Sequence, residues 1–133
     1  MYPGAHAQSR PDKPAIIMGE GSTVSYLELD QRSNQCAHLY QSLGLSANDG
    51  IALFMENGPD YFYAAWGAQR SGLYYTPIST HLAPAEVGYI VENCEAQVVV
   101  VSHGLREVVE QIRDQLPRVR AWLLVGGTAD GFD

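Results

Sequence analysis

Lysine is all but missing from this sequence. Lys13 is the only one among 133 residues, and eight basic residues in all face fifteen carboxylates, for a formal net charge of −7. The acidic residues are scattered and no basic stripe opposes them, which excludes the surface by which proteins hold nucleic acid or an anionic bilayer. Cysteine is scarce as well. Cys36 and Cys94 stand apart, with no CxxC and no paired Cys/His spacing, so neither a zinc site nor a disulfide framework is indicated and both read as buried free thiols. No apolar run approaches the ~20 residues that span a bilayer. The opening "MYPGAHAQSRPDKP" has neither the cationic start nor the apolar centre of a signal peptide. The expectation is a cytoplasmic protein without a transmembrane segment.

Familiar catalytic signatures are also absent. There is no GxSxG nucleophile elbow, no HExxH and no EF-hand loop. Gly19-x-Gly21 lacks a third glycine in register and a strand-to-helix context. The closing "GGTADG" has the Gly-x-x-x-x-Gly spacing of a phosphate loop from Gly126 to Gly131, but Phe132 stands where lysine belongs, and a phosphate loop needs a following helix whose N-terminus faces the anion.

What is present is the alternation of an α/β fold. "AIIMG" (15–19) and "STVSY" (22–26) are β-rich runs split by Glu20-Gly21, a hairpin. Ser25-x-x-Glu28 has capping-box spacing and starts a helix on which Leu29, Ser33, Cys36, Tyr40 and Leu43 form one stripe, with Gly44 as its stop. "GIALFM" (50–55) precedes a helix running from Pro59 to Gly72, apolar almost all round and expected to be buried on more than one side. Strand 73–79, a helix from Pro84 carrying Val87, Ile90, Val91 and Cys94, and strand 97–102 follow. A further helix carrying Leu105, Val108, Val109, Ile112 and Leu116, and strand 121–125, complete the pattern. Apolar runs without alternation between amphipathic helices predict a mainly parallel sheet covered on both faces, opened by one hairpin.

In open α/β sheets ligands sit at the carboxyl ends of the strands. That singles out Glu56 and Asn57, the stretch Ser79 to His81, Ser102 and His103, and Gly126 to Thr128. Each also has an ordinary structural use: Asn57 as a helix cap, Ser102 and His103 as a polar strand exit, His81 as a surface loop histidine. His6 and His38 offer less, and no residue is assigned a catalytic, cofactor-binding or metal-binding role.

The stretch from Arg10 to Ser102 resembles the amino-terminal part of the adenylate-forming superfamily, the acyl-CoA synthetases, luciferases and adenylation domains of peptide synthetases. "RPDKPAII" is similar to that family's opening segment and "TVSYLELDQRSNQCAHLYQSLGL" to its threonine-tyrosine-x-glutamate-leucine helix. "DGIALFMENGPDYFYAAWGAQRSGLYYTPIS" resembles its glycine-aspartate-x-valine-alanine strand, asparagine turn, aromatic helix and following strand, and "HLAPAEVGYIVENCEAQVVVVS" the helix and strand after that. The wording is most similar to the fatty-acyl and other carboxylate–CoA ligases. Two positions depart from the pattern. Asn48-Asp49-Gly50 stands where glycine-aspartate is usual. Ala83 replaces a serine or threonine cap whose loss costs ~1 kcal/mol, offset in part by Pro84.

The resemblance implies an ATP-dependent enzyme that activates a carboxylic, fatty acid as acyl-adenylate and passes it to CoA, with Mg²⁺ on the phosphates. In the family, the phosphate loop, the ribose-binding aspartate and the catalytic lysine lie beyond the matched stretch. Residues 1–133 are thus expected to be a single incomplete domain with loose ends at 1–14 and 126–133, binding no cofactor and catalytically silent, with "GGTADG" as linker. The alternative is a self-contained α/β binding or interaction domain. Because the aromatic helix and strands 97–102 and 121–125 expect cover from elements later in a full enzyme, self-association is expected too, most simply as a twofold dimer through aromatic and sheet-edge surfaces.

Overall fold

The computed structural model of the chain describes residues 14–17, 23–56 and 58–127. Strand β1 (Pro14–Ile17) pairs antiparallel with β2 (Thr23–Ser25), as the hairpin pattern requires. The Glu20-Gly21 turn between them lies outside the described residues, as do most of both expected loose ends. Helix α1 (Tyr26–Ser42) begins at the expected cap: the Glu28 N–H donates to Ser25 Oγ at 3.1 Å. Leu29, Ser33 and Tyr40 of its stripe are buried, Cys36 is half-buried, and Gly44 ends the helix at φ +84, a left-handed conformation that suits glycine.

The main sheet has four parallel strands in the order β4-β3-β5-β6: β3 (Gly50–Phe54), β4 (Tyr74–Pro77), β5 (Ala96–Ser102) and β6 (Ala121–Val125). Successive residues of a strand point to opposite faces, and here both faces are apolar. Ile51, Leu53, Val98, Val100 and Leu123 pack with Tyr40 of α1 and with Ala64, Ala65 and Ala68 of α2 (Pro59–Arg70). Ala52, Phe54, Val99, Val101 and Trp122 pack on the other side against Val87 and Val91 of α3 (Pro84–Asn93) and Val109 of α4 (Arg106–Glu110). Each fully buried valine is worth roughly 1.5–3 kcal/mol relative to exposure, so β5 is the centre of the core.

Four sequence expectations change. Strands 97–102 and 121–125 do not await cover: the helices of this chain bury Val98, Val99 and Val101 completely and leave Trp122 only 7% exposed. The helix expected from Leu105 to Leu116 is broken into a 3₁₀ turn (His103–Leu105), the five-residue α4 and a second 3₁₀ turn (Arg113–Gln115). Its apolar spacing still turns Val109, Ile112 and Leu116 inward. The stretch needs only that inward row, and the β-branched Val108, Val109 and Ile112 do little to favour a continuous helix. Strand 73–79 pairs only over Tyr74–Pro77, at an edge, and its two tyrosines are exposed. Helix α2 is buried chiefly along one small-residue side, Ala64, Ala65, Gly67 and Ala68, while Phe62 faces outward.

At the head of α3, Ala83 has no side-chain cap. The Glu86 carboxylate accepts its N–H at 3.4 Å, half of a capping box, and Pro84 occupies the first turn.

Candidate functional site

The carboxyl ends of β3, β5 and β6 converge because these strands are adjacent and in register. At the exit of β5, Ser102 Oγ accepts the Glu56 N–H at 2.9 Å and so ties the exits of two strands together. The Glu56 side chain folds back over Gly104, where an added Cβ would stand 2.8 Å from Oε1. Arg106, three residues beyond His103, donates from Nη1 to the His103 ring Nδ1 at 3.2 Å and to the His103 carbonyl at 3.1 Å. Arginine can only donate. Nδ1 must accept, and a neutral His103 carries its proton on Nε2.

The His103 ring in turn lies against Gly127, where any Cβ would overlap the imidazole, and Gly126 sits at φ +87. Both glycines are therefore required by space and conformation.

The structure thus brings together Glu56, Ser102, His103 and Gly126 of the residues singled out from sequence. Asn57 and Thr128 lie outside the described residues. Ser79, Thr80 and His81 follow the far edge strand β4 and form a local turn, with the His81 N–H on Ser79 Oγ at 3.4 Å. His38 is exposed on α1, and His6 lies outside the described residues. Sequence reasoning missed Gly104 and Arg106. Arginine one helical turn after histidine is the signal that could have found the second, by i,i+3 proximity.

Chemically the cluster is a set of polar restraints on chain exits. It does not fit a triphosphate with Mg²⁺: its guanidinium is committed to His103, and Glu56 is a lone carboxylate that would repel phosphate. Among the described residues, no group of three or more His, Cys, Asp or Glu could hold a metal.

The two thiols are free and half-buried. Burial pushes the Cys36 thiol above its ordinary range, the Asp60 charge adds to this and Arg32 opposes it, a direction that disfavours the nucleophilic thiolate. A cavity of about 690 Å³ lies at the opposite, amino-terminal end of the sheet, lined by Asn48, Asp49, Tyr74, Glu95, Arg118 and Arg120. Chain reversals shape it: Asn48 and Glu95 are both left-handed, and Arg120 bonds the Leu43 and Gly44 carbonyls and Gln97.

A parallel sheet with a helix layer on each side, its polar residues gathered at the strands' carboxyl ends, defines an open α/β domain of the kind that binds ligands at that edge. Comparison with known proteins narrows this. Residues 4–129 match the AMP-binding enzyme family, and the chain belongs to it. It is 31% identical to long-chain fatty acid transport protein 6 of Mus musculus over 97% of its own length and 21% of that protein's. It is 32% identical to a crotonobetaine/carnitine–CoA ligase of Escherichia coli over 77% of its length and 21% of the ligase's. The solved fatty acyl CoA synthetase of Mycobacterium tuberculosis superposes with a TM-score of 0.84 at 26% identity, covering 92% of this chain and 25% of that one. The chain spans about a fifth of the length of the curated relatives it matches.

Proposed function

We infer that the chain is the amino-terminal segment of an ATP-dependent acid–thiol ligase, acting in the cytoplasm on a fatty or other apolar carboxylate. The observation that carries this is the family match over residues 4–129, joined by relatives named as CoA ligases. A carboxylate is a poor electrophile, and thioester formation first requires its conversion to a mixed anhydride with AMP, with positive charge on the phosphates. ATP, Mg²⁺ and CoA are accordingly assigned to the longer protein. The polar cluster at Glu56, Ser102, His103 and Arg106 has a scaffolding part in this reading: it holds three strand exits at the ligand-facing edge. The 133-residue chain by itself is expected to be inactive and to bind no nucleotide.

The test is carboxylate-dependent exchange of pyrophosphate into ATP by the product of the full natural reading frame, followed by thioester formation with CoA. Exchange with a fatty acid is the expected result. Well-folded protein that gives no exchange with fatty, aromatic or short acids would overturn the ligase reading. Saturable binding of ATP or AMP to the 133-residue chain in calorimetry would overturn the claim that it is silent.

A second reading, a self-contained α/β binding or interaction domain, draws support from the sheet being covered on both faces by the chain's own helices. The exposed Phe62, Tyr74 and Tyr75 weigh against it.

A further inference from the structure

The imidazole of His103 stands half-buried between two elements and touches each through different atoms. On one side Arg106 of α4 donates through a single nitrogen, Nη1, to the ring Nδ1 and to the His103 carbonyl. On the other side the ring lies against Gly127 at the exit of β6. A Cβ built on that glycine would overlap Cδ2 and stand 2.7 Å from Cγ and 2.9 Å from Nε2. The Cδ2–Nε2 side of the ring is thus given to Gly127 and Nδ1 to Arg106.

The charged groups around the ring come from three elements. Helix α4 brings Arg106, with Glu107 and Glu110 exposed beyond it. The exit of β3 brings Glu56, whose carboxylate folds over the neighbouring Gly104. The exit of β6 brings Gly126 and Gly127, which carry no charge. The ion pairs among the described residues are Arg70 with Asp30 and Arg118 with Glu95. No carboxylate is therefore paired with His103 or Arg106.

An arginine can hold a histidine in this way only while the ring is neutral. Once protonated, both ring nitrogens are donors, and the Arg106 N–H faces an N–H on a group of like charge. Histidine is the side chain whose charge ordinarily changes between pH 5 and 8. We propose that His103 and Arg106 form a pH-sensitive catch on the exit of β6. With a neutral ring, Arg106 holds the imidazole against Gly127. When the ring takes a proton from solvent, the Nδ1 contact is lost, the guanidinium turns away, and the imidazole leaves Gly127. The release is confined to β6, because the exits of β3 and β5 are tied separately by the Glu56 N–H on Ser102 Oγ. The inference rests on these contacts and not on the proposed ligase function.

The experiment is an NMR titration of the 133-residue chain from pH 8 to pH 5, following the His103 ring nitrogens, the contact between the His103 Hδ2 and Gly127 Hα protons, and the backbone amide shifts. At pH 8 the expected ring carries its proton on Nε2 and shows the Hδ2–Hα contact. On acidification that contact is lost and the Gly126 and Gly127 amides shift, both along the titration curve of the His103 ring, while the Glu56 amide does not follow that curve. His103→Asn retains an oxygen that Arg106 can reach and cannot take the proton, so the pH-dependent shifts of Gly126 and Gly127 disappear. A ring that carries its proton on Nδ1 at pH 8, or that keeps its contact with Gly127 when protonated, would overturn the proposal. So would Gly126 and Gly127 shifts that persist unchanged in His103→Asn.

Discussion

The Tyr40 hydroxyl on α1 donates to the Ala64 carbonyl on α2 at 2.9 Å, a bond formed where the tyrosine is 1% exposed. Burial pushes the ionisation of Tyr40 well above its ordinary value. Tyr40→Phe leaves the Ala64 carbonyl without this donor and is expected to cost about 1–3 kcal/mol in urea unfolding.

The same residue sets an alkaline limit. A tyrosine whose folded-state ionisation is raised binds its proton more tightly in the folded chain. Its contribution is fully present below the unfolded value, about 10, and is lost as pH rises above it. Tyr61 and Tyr63, raised by burial first, act in the same direction. Stability should therefore fall above about pH 10, and the fall should be shallower in Tyr40→Phe. Equal slopes in the two proteins would contradict the assignment.

Glycine-to-alanine exchange should have opposite signs in two helices. At Gly67 an added Cβ meets the Ser33 carbonyl at 2.9 Å and the Cys36 Cβ at 2.5 Å, both carried by the backbone of α1. The helices must separate, and Gly67→Ala is expected to destabilise by more than about 2 kcal/mol. At Gly88 the nearest atom is Ile112 Cδ1 at 3.7 Å, an ordinary contact. Helix propensity then decides, and Gly88→Ala should stabilise by up to about 1 kcal/mol. Thermal melts of the two variants check both signs.

The strands were legible because burial on both faces leaves runs such as "QVVVVS" without polar alternation, and α1 because Ser25, Glu28 and Gly44 mark its ends. Strand order was not, because nothing local to "LYYTPIS" says that it lies at an edge. Its two tyrosines stand exposed there. The broken helix after His103 kept its apolar spacing, which reports the inward face and not the continuity of the hydrogen bonds. In the polar cluster, Glu56, Ser102 and His103 could be marked from strand ends alone. The contact of His103 with Gly127 joins residues on different strand exits, and only the fold brings them together.

Two neighbouring arginines should behave differently when removed. Arg120 bonds the Leu43 and Gly44 carbonyls at 3.3 and 3.4 Å and the Gln97 side chain, so that it joins the end of α1 to β5. Among the described residues Arg118 pairs only with Glu95, across 3.8 Å, with side chains 57% and 77% exposed. Arg120→Ala is expected to cost about 1 kcal/mol, and Arg118→Ala nothing measurable, as is usual for exposed pairs. Denaturant midpoints that shift equally would show that Arg120 has no stitching role.

The last expectation concerns coupling at the carboxyl edge. The His103 ring is held by Arg106 and fills the space beside Gly127. Gly127→Ala alone forces the ring away and strains the exit of β6, at a cost of about 1–3 kcal/mol. His103→Ala alone removes the obstacle along with the Arg106 acceptor, at a cost of about 1 kcal/mol. Once His103 is gone the new Cβ has room, so the double variant should be more stable than the two losses added together, by about 1 kcal/mol or more of coupling. A double-mutant cycle in urea measures this directly. Additive losses would mean that the histidine yields freely and does not guide the chain out of β6.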